Sequence, residues 1–363
     1  MSHRTQEIRF CRSRDGVRIA YAVRGTGPSL VCISHWMHTL KFDLDSPVWN
    51  PWLSTLTRRH SVISYDWRGC GLSDWDRIDL SFERHVEDLE AVVAAAGVKR
   101  FVLVAMAFGA GTGLAYAARH PELVSHLVLY GSWSRGRLAR MTTAEERAEA
   151  RTRLKAIELG WPDENSGYGQ FYTSLYLPNA SSEQRQSLSH ELHASTSQQN
   201  AIGIIKAFYK TDLRKIAPQI RCPTLVFHAH EESLIPFNEG RAVAALIPGA
   251  RFVPINSRNH LVLSTEPAWQ KVGDELDSFL PGTFEVQTES VELNLDQLTS
   301  RERQILDIVA QGVDNNGIAK QLGISEKTVR NHISTILDKL GVDGRLQAVV
   351  RAREAGLGRK SRS

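Results

Sequence analysis

The sequence predicts an α/β chain, a doubly wound and mostly parallel sheet with a helical lid, followed by a small all-α module. Three features predict it. Over roughly the first 280 of the 363 residues, short apolar runs alternate with amphipathic stretches, as buried parallel strands alternate with the helices that cover them. The alternation stops between residues 134 and 218, where only helical patterns remain. After a polar stretch at 283–294, three short helical patterns follow one another, the first and third opened by capping residues.

In chain order, residues 30–34, 61–65, 101–105, 126–130, 224–228 and 251–255 read as strands, being short apolar runs rich in β-favouring residues. Residues 82–96 and 109–120 read as helices between them. Residues 101–118 are apolar apart from Thr112 and Tyr116, long enough to suggest a membrane span. Gly109, Gly111 and Gly113 interrupt that run and its first half favours strand, so a buried strand, tight turn and helix fit better. Helical patterns at 144–159, 183–194 and 199–209 fill the break. An insertion of that size belongs at one end of the sheet, as a lid over the ligand crevice that parallel strands form at their carboxyl ends. Pro281-Gly282 stops the last helix, which sets the expected boundaries: a sheet domain over 1–281 with its lid at about 134–218, a linker over 282–295, and the small module over 296–363.

Composition excludes other classes. Hydrophobic residues at 42% and charged residues at 23% are ordinary for a soluble globular protein and rule out a disordered or collagen-like chain. The net charge of +4 is modest, but residues 291–363 hold 12 Lys/Arg against 9 Asp/Glu, so most of the excess lies in the final fifth. That is compatible with a nucleic-acid duplex as partner. Cys11, Cys32, Cys70 and Cys222 show no paired spacing, which suits a reducing compartment. Met1-Ser2-His3-Arg4 precedes no apolar stretch, so no signal peptide is read and a cytoplasmic location is expected. His35, His38, His228 and His230 raise the question of a metal, but no carboxylate or cysteine accompanies them at ligand spacing, and neither metal nor cofactor is expected.

In the small module, Thr299-Ser300-Arg301-Glu302 is a capping box, and Ile305, Leu306, Ile308 and Val309 give the helix behind it an apolar face. A short helix over 316–322 follows, Gly323 makes the turn, and Ser325 caps a third helix over 326–340. On that helix Val329, Ile333, Ile336, Leu337 and Leu340 fall on one face, while Lys327, Arg330, Asn331 and Ser334 fall on the other. A narrow, polar, cationic stripe on a helix supported from behind is what major-groove readout requires. Residues 298–357 resemble the C-terminal helix-turn-helix of the LuxR family. The likeness rests on Leu298 to Glu302, Ile318-Ala319, Ile324 to His332, Lys339-Leu340-Gly341-Val342, Arg345 and Ala348-Val349. The resemblance implies base reading by Arg330, Asn331 and Ser334, phosphate contacts by Lys327, Thr328 and Lys339, and a dimer contact through a fourth helix at 346–355. Ser334 departs from the family, which often carries a second cation there, so an operator preference does not transfer. The bland alternative is a packing module that never meets DNA.

Three signatures over residues 7–280 resemble the α/β-hydrolase fold. They are Asp66-Trp67-Arg68-Gly69-Cys70-Gly71-Leu72-Ser73-Asp74, the strand–turn–helix run at 101–113, and Pro223 to His228 followed by Ile235-Pro236 and Arg258-Asn259-His260. Such enzymes place a serine on a Gly-x-Ser-x-Gly elbow. Here the elbow reads Ala105-Met106-Ala107-Phe108-Gly109, and a methyl group can neither attack a carbonyl nor share a proton with an imidazole. The resemblance assigns His260 as the vestigial base and Glu232 as the acid, with Glu231 as a weaker candidate. The family's His-Gly pair becomes His35-Trp36, which places a bulky side chain at the oxyanion loop, and Phe108 would still present a backbone N–H. Trp36, Met37, Ala107, Phe108, Trp133, Tyr172 and His260 are the expected ligand-binding residues. Trp161 and Tyr176 either line the pocket or simply pack. Ser73 belongs to a structural turn and is not taken as a nucleophile.

The expected function is a ligand-responsive transcriptional regulator. A retired hydrolase pocket binds a small, largely apolar molecule, and a homodimer reads a two-fold-related site on double-stranded DNA. Two alternatives stay open: an esterase-like enzyme fused to a DNA-binding head, and a scaffold with a collapsed pocket that binds a protein.

Overall fold

In the computed structural model, residues 7–35, 38–161, 167–280, 297–340, 348–349, 352 and 357–358 are described. The chain divides into two compact units, Met1–Thr283 and Phe284–Ser363.

The first unit is built on an eight-stranded sheet. Its strands are β1 (Ile8–Arg12), β2 (Arg18–Arg24), β3 (Ser29–Ile33), β4 (Ser61–Tyr65), β5 (Phe101–Met106), β6 (Val124–Tyr130), β7 (Thr224–Ala229) and β8 (Arg251–Ile255). They lie in the order β1-β2-β4-β3-β5-β6-β7-β8. From β4 to β8 every neighbouring pair is parallel, while β2 runs antiparallel to both β1 and β4. The central strands β5 and β7 are buried along their whole length, as expected of parallel strands covered on both faces. The hairpin of β1 and β2 is not among the strands expected from the sequence, although β2 carries an apolar run at 19–23. β1 is half exposed and arginine-bearing, so it has no continuous apolar run to show.

Helices α1 (Trp49–Thr57), α2 (Phe82–Ala96), α3 (Phe108–Arg119) and α9 (Phe237–Leu246) connect the strands, α10 (Ala268–Phe279) follows β8, and α4 to α8 fill the insertion between β6 and β7. The insertion holds α4 (Arg137–Arg140), α5 (Ala144–Gly160), α6 (Gly167–Tyr176), α7 (Ser182–Ser195) and α8 (Gln198–Tyr209). Capping boxes Thr143/Glu146 and Ser181/Gln184 start α5 and α7. The apolar run at 101–118 is β5, a one-residue turn and α3, and among the described residues no helix is long and apolar enough to cross a membrane. Gly113 lets α3 press onto β5, since a Cβ there would lie 2.6 Å from that of Ala105.

The turn at 66–74 braces the lid. Buried Arg68 donates to Asp88 at 2.6 and 2.7 Å and to Asp15 at 2.9 Å. Ser73 Oγ donates to the Asp66 carbonyl at 2.7 Å and accepts from the Ala20 N–H, a structural role. From the lid, Asn200 Nδ2 donates to the Gly69 carbonyl at 3.2 Å, and the Ser195 carbonyl accepts from the Gly71 N–H at 2.6 Å.

The second unit contains α11 (Ser300–Ala310), α12 (Asn315–Leu322) and α13 (Glu326–Leu340). The capping box of Thr299 and Glu302 is present, Gly323 closes α12 in the left-handed conformation, and Ser325 Oγ accepts from the Thr328 N–H at 3.1 Å. Ile305, Leu306, Val309, Ile318, Val329, Ile336, Leu340, Ala348 and Ala352 form its core, with Ile333 and Leu337 packed against it. The linker expected at 282–295 and most of the fourth helix expected at 346–355 lie outside the described residues.

Candidate functional site

The carboxyl ends of β5, β7 and β8 carry the chemistry. One residue, Ala107, joins β5 to α3, with φ 51° and ψ −118°. A side-chain-bearing residue seldom adopts this conformation, and holding it costs on the order of 1–3 kcal/mol. The Ala107 N–H donates to the Tyr130 carbonyl at 2.8 Å. Phe108 opens α3, so its N–H is one of the donors that a helix cannot satisfy internally. A sharp strand-to-helix turn is therefore present, and the side chain at its positive-φ position is the methyl group of Ala107.

A buried histidine and a buried carboxylate meet beyond the ends of β7 and β8. His260 is buried, its backbone N–H donates to the Tyr176 carbonyl at 2.8 Å, and its Nδ1 lies 3.1 Å from Glu232 Oε1. Gly131 makes room for the ring, because a Cβ there would stand 2.8 Å from His260 Cε1. Glu232 Oε2 accepts from the backbone N–H groups of Leu234 at 2.8 Å and Ile235 at 3.0 Å. Its Oε1 also lies 3.1 Å from His228 Nε2. Burial works to raise this carboxyl, yet His260 and His228 with their hydrogen bonds outweigh it and hold the pKa down at about 2. Glu231 is exposed and stands 4.0 Å from Arg258, so Glu232 is the acid that reaches the imidazole. Burial, then the neighbouring His260 and His38, push the pKa of His35 well below its ordinary value, which keeps this imidazole neutral.

A cavity enclosing about 800 Å³ of empty space, part of it open to solvent, lies between these strand ends and the lid. Phe108, Trp133, Tyr172 and His260 line it, as does His35. Ala107 is buried and does not contribute to the wall, unlike its neighbour Phe108. Tyr176 packs against the His260 ring at 4.9 Å, and Trp161 lies against His193 at 5.5 Å; both fall outside the wall. Trp36 and Met37 lie outside the described residues. Sequence reasoning missed three arginines in the lining, Arg137, Arg140 and Arg153. No local motif marks them, since they meet only when α4 and α5 fold over the sheet. Among the described residues, no group of three or more His, Cys, Asp or Glu side chains is arranged to hold a metal ion.

On the second unit, Lys327, Arg330, Asn331 and Ser334 are all exposed on α13, opposite the face that carries Val329 and Ile336. Arg330 is held only loosely, 3.9 Å from Glu326. The Thr328 hydroxyl lies 2.7 Å from that of Ser325, at the helix start. Lys339, expected at a phosphate, donates to both carboxylate oxygens of Glu302 at 2.7 and 2.9 Å.

An elbow between strand and helix, a paired imidazole and carboxylate, and a lid-covered cavity define a hydrolase-type domain. The chain belongs to the alpha/beta hydrolase fold family, whose family model matches residues 42–267. Residues 296–352 match the family described as bacterial regulatory proteins, luxR family, so this is a DNA-binding transcription regulator fused to a hydrolase-fold domain. RutD of Klebsiella pneumoniae strain 342, which bears the name of a carbamate hydrolase, is 28% identical over 221 residues, covering 58% of this chain and 79% of RutD. A hydrolase from Pseudomonas aeruginosa PA01 is similar in fold at 24% identity and a TM-score of 0.63, over 75% of this chain and 98% of its own. A bromoperoxidase from Bacillus anthracis is likewise similar at 19% identity and a TM-score of 0.64, over 75% and 99% of the two chains.

Proposed function

We propose that the hydrolase-fold domain is a catalytically retired receptor: it binds a small molecule between sheet and lid, and occupancy changes how the regulator engages DNA. The observation that carries this reading is Ala107 on a formed elbow beside the Glu232–His260 pair. A receptor that hydrolysed its ligand would erase its own signal, whereas a pocket without a nucleophile holds it. The same reading takes Arg330, Asn331 and Ser334 as the base-reading side chains, Lys327, Thr328 and Lys339 as phosphate contacts, and a homodimer in the cytoplasm as the acting form.

Removing the serine of a catalytic triad typically costs about a millionfold in turnover. The purified protein is therefore expected to show no burst with p-nitrophenyl esters and no acyl adduct by mass spectrometry. An acyl group found on any residue of the cavity would overturn the receptor reading. Ala107→Ser is expected to gain weak esterase activity, since Glu232 and His260 stand ready to orient and accept the proton.

A second reading has an observation of its own. A buried Glu232–His260 pair is what a water-activating hydrolase would also keep. Steady ester turnover by the wild-type chain, lost in His260→Ala, would establish it.

A further inference from the structure

The cavity wall is apolar over most of its area, yet three lid cations share it and no Asp or Glu lines it. Two of the three are accounted for. Arg153 donates to Glu149 Oε1 from Nε at 3.0 Å and from Nη2 at 2.9 Å. Arg137 donates to the Leu234 carbonyl at 2.9 Å and stands 3.8 Å from the same Glu149. Arg140 differs: among the described residues its guanidinium has no hydrogen bond and no ion pair, although it faces the cavity and is only partly exposed. Burial and then the adjacent Arg137 pull its pKa below the ordinary arginine value, and the attraction of Glu239 and Glu232, neither of them bonded to it, offsets only part of this. Arginine does not shed its proton in a protein, so a guanidinium withdrawn from water without a partner costs free energy until an anion meets it.

We propose that the cavity binds a small amphiphile with a single carboxylate, its apolar body against Phe108, Trp133, Ile205 and Phe208 and its carboxylate on Arg140. One free guanidinium matches one planar carboxylate, which it can hold through two parallel N–H donors. A phosphate monoester, with more acceptor oxygens, would have to compete with Glu149 and the Leu234 carbonyl for the donors of Arg137 and Arg153, whereas a carboxylate needs only the donors of Arg140. A carboxylate also offers nothing for hydrolysis, in keeping with Ala107. The assignment rests on the cavity being the sensor site.

The test is calorimetric titration of the full chain with hexanoate, octanoate and decanoate, each beside the alcohol and the amine of the same length. At least one acid is expected to bind tenfold or more tightly than its alcohol, and the amines most weakly. Arg140→Gln should bring the acids down to the affinity of the alcohols and leave the alcohols unchanged, with Arg140→Lys recovering part of the difference. Acids no better than alcohols on the wild-type chain, or a preference that survives Arg140→Gln, would overturn the proposal whether or not any variant folds well. If alcohols bind without an acid preference and Ala156→Trp, which narrows the cavity, excludes them, the ligand class fails while the receptor reading stands. If no acid and no alcohol binds the wild-type chain, both fail.

Discussion

Glu232 keeps a negative charge in a place where burial alone would remove it. Burial raises its carboxyl, and His260 and His228 bring it down past the ordinary 4.5 to about 2. Because the folded value lies below the unfolded one, the stabilisation is fully present above about pH 4.5 and is lost as pH falls towards 2. Across that window the carboxylate contributes on the order of 3 kcal/mol at most. Glu232→Gln is therefore expected to destabilise the hydrolase-fold unit at neutral pH and to flatten its loss of stability between pH 5 and 3, followed by urea unfolding of the full chain. Parallel pH profiles for variant and wild type would contradict this. That Glu232 and His260 pair was legible in the sequence only through the resemblance to the hydrolase fold, which sets an acid and a histidine after the last two strands. Arg140 was not. Its four-residue helix has no periodicity to read, and an arginine there passes for a solvated surface charge until the lid closes over it.

At the scale of elements, α13 divides its work between two faces. Arg330 is exposed and is the side chain on the stripe best able to bond a guanine through two donors. Arg330→Ala should cost roughly 1–3 kcal/mol per half-site and relax preference at one base position, whereas Lys327→Ala should weaken binding to all duplexes alike and lower the salt slope. Titrating specific and scrambled duplexes at two salt concentrations separates the two, and an unchanged specific-to-scrambled ratio for Arg330→Ala would exclude the assigned reading face. Lys339 ties the far end of α13 to the capping box of α11 through Glu302. Lys339→Ala is expected to lower the thermal midpoint of this unit by a few degrees and to change the salt slope less than Lys327→Ala does; the reverse order would make it chiefly a phosphate contact. The elements themselves were legible where one period dominates. β3 to β8 are mostly apolar, least so β8 with Arg251 and Pro254, and α5, α7 and α11 begin at caps. β1 was hidden because it mixes arginines with apolar residues at the sheet edge, β2 was passed over although residues 19–23 are an apolar run, and α6 has two glycines in its first turn that weaken its helical pattern.

For the whole molecule, the proposed receptor role of one domain, on the same chain as a DNA-binding domain, imposes a condition that neither domain imposes alone. If a ligand changes the affinity for an operator by some factor, the operator must change the affinity for the ligand by the same factor, because both report one coupling free energy. Such factors typically lie between about 5 and 150. A single recognition helix reads few base pairs, so the acting form is expected to be a dimer on a two-fold-related site, its half-sites about 10 base pairs apart centre to centre. The full chain should then bind a ligand of its cavity with one affinity alone and another, shifted at least fivefold, when saturated with that duplex. The duplex titrated with and without ligand should give the same ratio. Ala156→Trp should bind the duplex like the unliganded wild type and lose the response, since Ala156 belongs to the cavity wall and not to the reading face. A ligand that binds the cavity yet leaves both ratios at one would make the pocket a passenger, and a response that persists in Ala156→Trp would place the sensor elsewhere on the chain.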